Sequence, residues 1–441
     1  MATTYLSRTP SAGNRKKWTF SAWFKKSTSS ASDMGIFTAG TSGNDEGTIK
    51  LYNYIDWIEY DSGTASVIGR LTTTQVLRDT SAWYHLVCVW DSANATAGDR
   101  MKMYLNGEEV TSFSTDTNPT LNYDSQINNG VLHNIGRQSW NSSGYFDGSM
   151  THVHFCDGQA YQASDFGEYD ANGVWKIKTS PSVTYGTNGF FILKDGNSVT
   201  DQSGNGNNFT VGGGTLTNTE DCPSNVFATL NPLTGNTFLT YQNGNTTCYS
   251  DGAGENRTAI STVGALSGKY YAEVKIVSIQ DASQVGVVSA EGYAANGGNY
   301  ADNILAIEDG LQYSNIGEVK NYNNNLLASG MGTFTTNDII GIAMDLDNNK
   351  IYFHKNGTYI NSGVPTSGAT GTGAFSLVAD KTYLFASAAN YANGKFSWNF
   401  GNGYFGTTAV ASAGTNASGN GIFEYDCPNG YTALSTKGLN L

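Results

Sequence analysis

Few side chains in this chain of 441 residues are spaced to do chemistry. Asp201-Gln202-Ser203-Gly204-Asn205-Gly206-Asn207-Asn208 sets oxygen ligands among glycines at turn positions, so Asp201 is a candidate calcium ligand. The segment lacks a second carboxylate and a closing Glu, which favours a plain turn. Asp345-Leu346-Asp347-Asn348-Asn349 would need Glu at 356 for the same motif; Asn356 stands there, and the segment reads as a hairpin. His152 and His154 share one strand face, but no third metal ligand lies near them in sequence. No G-x-S-x-G elbow offers an acyl nucleophile. The five cysteines lie far apart, with no C-x-x-C and no Cys/His cluster at zinc spacing. They read as buried free thiols of a protein made in a reducing cytosol. Cys222 and Cys427 differ from the rest: each sits in Asp-Cys-Pro, and together they bracket the second half of the chain. Domain termini often lie close together, so these two are expected to be neighbours, either as thiols or as a disulfide if their Cα atoms come within ~7 Å.

Aromatic rings offer the remaining chemistry, stacking on the C–H face of a sugar. LYNYIDWIEY (51–60) carries Tyr52, Tyr54 and Tyr60 on one parity and Trp57 on the other. One set should be core and the other partly exposed. Trp140 and Tyr145 flank a polar, loop-like stretch, where a ring needs either burial or a ligand. Tyr54, Trp57, Trp140 and Tyr145 are therefore the candidate carbohydrate contacts, with core or interface packing as the alternative for each.

Composition limits the scaffold that holds them. There are 53 Gly and 7 Pro, and charged residues make up 14%, well under the usual ~25%. A helical bundle is excluded by that poverty of charge, and disorder by 26 Tyr, 20 Phe and 8 Trp. The net charge of −13 includes no basic stripe, which argues against nucleic-acid binding. No apolar run approaches the ~18 residues of a membrane span, and the N-terminus lacks the apolar core of a secretory signal.

Alternation supplies the strands. WTFSAWF (18–24) places Trp18, Phe20, Ala22 and Phe24 on one parity. WYHLVCVW (83–90) is apolar on both parities, as a central strand covered on both faces would be. MKMYLNGEEV (101–110) is a hairpin, with Asn106-Gly107 suited to the two positive φ angles of a type I′ turn. In the second half, 268–278 and 284–290 read as strands, 337–360 as a three-strand meander turning at Asn348 and Asn356-Gly357, and 381–401 as two closing strands. No segment carries ten residues of convincing helical period. The fold class is all-β: two tandem antiparallel β-sandwiches. Val211-Gly212-Gly213-Gly214 and the polar residues after it predict a linker over 211–222, between domains at 1–210 and 223–441.

The first half resembles the laminin-G/concanavalin A-like lectin superfamily, through S-A-W-F at 21–24, W-Y-H-L-V at 83–87, Y-L-N-G-E at 104–108 and Y-F-D-G-S-M at 145–150. That likeness implies a jelly roll and makes His85 a satisfied sandwich residue. The second half resembles a SPRY domain through D-I-I-G-I-A-M-D-L-D-N-N-K-I-Y-F-H-K-N-G and N-F-G at 399–401. Connecting phrases such as A-S-D-F-G-E-Y-D-A-N-G-V-W (163–175) and D-Q-S-G-N-G-N-N-F-T (201–210) resemble bacteriophage tail-fibre and virion-surface proteins. Laminarinase-type glucanases share the jelly roll and resemble one another through an E-x-D-x-x-E strand. Here Glu59 and Asp61 are followed by Thr64, so the general acid is missing.

The resemblances imply a non-enzymatic virion surface protein, a tail fibre, knob or appendage assembled in the bacterial cytoplasm. Its expected partners are other virion proteins, host-surface glycan and further copies of itself, without nucleic acid or membrane insertion. No cofactor is expected beyond calcium at the 201–208 loop. A structural capsid decoration or cementing protein is the first alternative, and a glycan depolymerase the second.

Overall fold

The protein is described by a computed structural model covering residues 3–28, 32–61, 63–234, 238–250, 257–279, 283–296, 303–389 and 394–441. Two compact units divide at Asn218/Thr219. Each is an antiparallel β-sandwich. The longest α-helix among the described residues, Ala290–Ala295, has six residues, and none of the helices in those residues is long and apolar enough to cross a membrane.

The strands of the first unit are β1 (Tyr5–Arg8), β2 (Lys17–Lys26), β3 (Met34–Ser42), β4 (Asp45–Leu51), β5 (Ile55–Tyr60), β6 (Val67–Thr73), β7 (Tyr84–Asp91) and β8 (Met101–Leu105). They continue as β9 (Glu108–Glu109), β10 (Phe113–Thr117), β11 (His133–Ile135), β12 (Gly148–Asp157), β13 (Gly167–Tyr169), β14 (Trp175–Ile177), β15 (Phe190–Ile192) and β16 (Thr210–Gly212). Eight form one sheet, in the order β10-β6-β5-β4-β3-β11-β1-β16, and six form the facing sheet, β15-β12-β2-β7-β8-β9.

Strand parity decides which side chains meet between the sheets. Trp18, Phe20, Ala22 and Phe24 of β2 all lie in the main core, as their alternation predicts. There Trp18 stacks on Trp90 with centroids 6.2 Å apart and meets Trp57 at 5.4 Å. Both faces of β7 are covered, again as expected. Leu86, Cys88 and Trp90 enter the core, while Val87 and Val89 pack outward under Phe166, Trp175 and Tyr185 of the segment that crosses the six-stranded sheet. His85 sits in that outer layer. Trp175 donates to its Nδ1 at 3.0 Å, so Nε2 carries the proton and donates to Ser21 Oγ at 2.9 Å.

The glycine-rich segment corrects the expected linker. Thr210, Val211 and Gly212 pair with Ser7, Leu6 and Tyr5 as an edge strand, and Thr3 Oγ1 donates to the Gly213 carbonyl at 2.7 Å. A side chain at Gly212 would lie 2.4 Å from the Tyr5 ring. Its lack of a Cβ serves close approach, not flexibility.

In the second unit Lys269–Ser278, Ile339–Asp345, Lys350–Lys355 and Lys395–Asn399 belong to one sheet. Gln284–Ser289 and Tyr383–Ala389 are central in the other. The expected three-strand meander is present, running Ile339–Asp345, Lys350–Lys355 and Thr358–Tyr359. Asn106-Gly107 and Asn356-Gly357 both take the positive φ pair of a type I′ turn, at 51° and 92° and at 49° and 83°.

Candidate functional site

The candidate site lies on the face of the eight-stranded sheet turned away from the core. Parity sends Ile49, Leu51, Ile55 and Trp57 inward, so Glu46, Thr48, Lys50, Asp56 and Ile58 take the opposite face. Register aligns Lys50 with Asp56 and Asp56 with Thr72 across β4, β5 and β6. The result is a row of charged and polar groups. Arg70 donates to both Asp56 oxygens at 2.9 and 3.0 Å, a bidentate pair, and Thr72 Oγ1 donates to Oδ1 at 2.7 Å. Lys50 Nζ lies 3.5 Å from both Asp33 and Glu46.

Residues 136–144 lie over this face beside β3. Gly35 N donates to the Gly144 carbonyl and Thr38 Oγ1 to the Arg137 carbonyl, each at 2.8 Å. The anchoring places Gln138 Nε2 on Asp33 and Trp140 on Glu46, with the indole N–H 2.8 Å from Glu46 Oε2. Gly43 lets the ring lie close; a Cβ there would be 3.1 Å from it. Trp140 remains 39% exposed, while Glu46 is 2% exposed. Burial raises the carboxyl pKa of both Asp33 and Glu46, against the lowering effect of Lys50. At the far end of β4, six residues or about 20 Å from Glu46, Tyr52 and Tyr54 stack with centroids 5.0 Å apart. Both are half-buried. Burial is the main cause raising the Tyr52 pKa, followed by the negative charges of Asp33 and Asp56. An exposed indole on a carboxylate, a row of charges and a tyrosine pair thus lie along one strand.

The four aromatic candidates therefore separate. Trp140 and Tyr54 stand at the two ends of β4. Tyr145 packs beside Tyr5 at 6.3 Å, with the Arg137 guanidinium 3.7 Å above the Tyr5 ring. Trp57 must be corrected: it is fully buried in the core against Trp18 and Trp90 and offers no face to a sugar. Its parity was read correctly as opposite to that of the tyrosines, but it is the core set.

Asp201 sits in the plain turn that its sequence favours over a metal loop. Its carboxylate accepts from Phe191 N, Ser203 N, Ser203 Oγ and Asn207 N at 2.8 to 2.9 Å. Four donors occupy the oxygens a cation would need, and the loop is a turn built around them. No cluster of three His, Cys, Asp or Glu suited to a metal occurs among the described residues. Cys222 and Cys427 are both free, so the disulfide alternative is corrected as well. Cys427 is buried among Phe227, Tyr271 and Phe423, whereas Cys222 Sγ lies 3.3 Å from Ser224 Oγ in a tight turn.

The carboxylates of the glucanase-like pattern lie in different settings, one enclosed and one at the surface. Glu59 has the parity of Trp57, is fully buried, and accepts from Ser125 Oγ at 2.5 Å and Gln126 N at 3.0 Å; burial pushes it up to about 8. Asp61 is held by Thr64 and Tyr123 in an exposed turn.

Sequence reasoning missed Asp33, Glu46, Lys50 and Gln138. Parity on β4 could have grouped Glu46 with Lys50, but nothing local connects either to residue 140. Sequence reasoning also missed a buried relay in the second unit. Gly357 N donates to His354 Nδ1 at 3.1 Å, His354 Nε2 to Tyr271 Oη at 2.6 Å, and Tyr271 to Glu273 at 2.9 Å. Glu273 also accepts the backbone N–H groups of Glu424 and Tyr425, each at 2.8 Å, and so ties down the C-terminal segment. A cavity lined by Arg8, His133 and Phe190 has about 10 Å³, room for one water.

Comparison with known proteins agrees with part of this. The Laminin_G_3 model of the concanavalin A-like lectin/glucanases superfamily matches residues 2–163. The SPRY domain of human HERC1 is 18% identical, with a TM-score of 0.29, over 38% of this chain and 96% of that one. Another human SPRY domain is 14% identical, with a TM-score of 0.28, over 37% of this chain and 94% of that one. A heptameric SAP-like pentraxin from Limulus polyphemus is 16% identical, with a TM-score of 0.27, over 36% of this chain and 71% of that one. No curated protein matches the chain in sequence.

Proposed function

We propose that this is a non-enzymatic binding protein of a bacteriophage particle, whose first unit contacts host-surface glycan through the outer face of its eight-stranded sheet. The observation that carries the binding role is Trp140: an indole 39% exposed, held by a buried carboxylate beside a row of polar groups. Rigid aromatic rings with oriented polar neighbours are the usual means of holding a flat, hydroxylated ligand. The placement on a virion rests on the resemblance of the connecting phrases. Assembly into an oligomer would convert weak single sites into useful avidity.

The test is a pull-down with host envelope polysaccharide, using the whole chain and its Trp140→Ala variant, with electron microscopy of the labelled particle. Retention of the parent and at least tenfold weaker retention of the variant support the reading. Equal retention of both would remove Trp140 from it. A second reading, a capsid decoration protein, is favoured by Ile316, Tyr322, Leu326 and Leu327, apolar side chains 38% to 61% exposed around the edge strand Asn325–Ala328. Label spread over the capsid, with no glycan retained, would select it.

A further inference from the structure

Trp140 shares its face with other rings, and their spacing indicates how much of a glycan the site takes; this inference rests on the binding role proposed above. Register aligns Gly47 with Glu59, so the next step sets Tyr60 opposite Glu46, the residue that holds Trp140. Tyr60 is half-buried and has the outward parity of Asp56 and Ile58. At the other end of β4, about 20 Å away, stands the stacked pair Tyr52 and Tyr54. Arg70 lies between the two ends. It is tied to Asp56, and its side chain remains 35% exposed. The bond to Asp56 raises its pKa, and the hydroxyls of Tyr60 and Tyr52 raise it further, which puts both tyrosines within its electrostatic reach. Rings thus mark both ends of the face, with a partly exposed fork of N–H donors between them.

The tyrosine end is held as firmly as the indole. Lys26 is fully buried, yet its ammonium donates to the carbonyls of Tyr52 at 3.3 Å and Leu77 at 2.8 Å. Leu77 N donates in turn to the Asn53 carbonyl at 2.6 Å, and Tyr52 N to the Tyr54 carbonyl at 2.8 Å. A buried cation that clamps a surface turn fixes both rings before any ligand arrives, and so lowers the ordering cost of binding.

We infer that the outer face binds the interior of a polysaccharide chain laid along β4, from Trp140 and Tyr60 to Tyr52 and Tyr54, and not a single terminal sugar. One sugar ring covers one platform; platforms this far apart are joined by several linked sugars. Each ring contact is weak alone, and the glycosidic linkage makes the second contact intramolecular. The guanidinium of Arg70 donates to hydroxyls of the units between.

The experiment is affinity electrophoresis of the whole chain through gels containing mannan, xylan or alginate, with the matching monosaccharide or hexasaccharide as soluble competitor. Expected is retardation by at least one polymer, with its hexasaccharide competing at least about tenfold better, per sugar unit, than its monosaccharide. Tyr54→Ala is expected to weaken retardation at least about threefold and to bring the two competitors level. Tyr54→Phe keeps the ring and should retain most of the length dependence. Should Tyr54→Ala fail to fold, competition by length in the parent decides alone. A monosaccharide that competes as well as the hexasaccharide would overturn the extended-chain reading, as would full length dependence in Tyr54→Ala; either result leaves the glycan role standing. No retardation by any of the three polymers overturns both.

Discussion

Trp140 and Glu46, 94 residues apart in sequence, are joined by one hydrogen bond of 2.8 Å from the indole N–H to Oε2. The contact fixes the orientation of a ring otherwise open to solvent. Trp57, by contrast, has an indole N–H with no partner and a ring packed on all sides. The two tryptophans should therefore fail in different ways. Trp57→Ala is expected to cost about 3–5 kcal/mol of stability, and Trp140→Ala less than about 1 kcal/mol. Denaturant unfolding followed beside glycan retention measures both. A Trp140→Ala variant destabilised as much as Trp57→Ala would assign Trp140 a packing role.

Stability should peak near neutral pH. Burial pushes Glu59 up to about 8 and Glu273 to about 7, while the unfolded chain releases those protons near pH ~4.3. Over that interval the folded state binds more protons than the unfolded one, so stability falls as pH rises. The five histidines act oppositely. Burial holds His85 and His354 near 3, His133 and His152 near 4, and His154 well below its ordinary value. Below about 6.5 the unfolded chain binds protons that the folded one refuses, so stability falls as pH falls. Thermal unfolding from pH 4.5 to 9 should show a maximum at about pH 6.5–7. Glu59→Gln should flatten the alkaline limb. A melting temperature that climbs steadily to pH 9 would contradict both glutamate assignments.

Pairing of Val211 and Gly212 with β1 makes the end of the first unit part of its sheet. A chain ending at Asn218 should fold with the sandwich intact. One ending at Phe209 leaves the edge of β1 unpaired and should melt several degrees lower, the shift a loss of about 1–2 kcal/mol gives in a unit of this size. Equal melting temperatures would show that β16 adds nothing.

Cys88, Cys156, Cys248 and Cys427 are buried, and burial raises the thiol pKa of each, to about 12 for Cys248 and Cys427. Cys222 alone is partly exposed. A chromogenic disulfide reagent at pH 8 should modify one thiol in the native protein and all five in denaturant. Cys222→Ser should abolish the native signal. Rapid reaction of a second thiol would show that the cluster around Cys427 opens.

The sequence by itself determined the all-β class, the two hairpin turns at Asn106-Gly107 and Asn356-Gly357, and the inward face of β2. Each depends on neighbours in the chain: side-chain parity along a strand, or the ease with which Asn and Gly take positive φ. Tertiary structure decided which parity of 51–60 is buried, because the covering sheet arrives from β2 and β7. It also decided that the 211–214 segment is a paired edge and that Glu59 is enclosed. The site was legible only as isolated rings. Its floor of Asp33, Glu46, Lys50 and Gln138 forms because residues 136–144 hydrogen-bond back over β3, and a contact between residues 94 positions apart depends on strand order, which has no local signature.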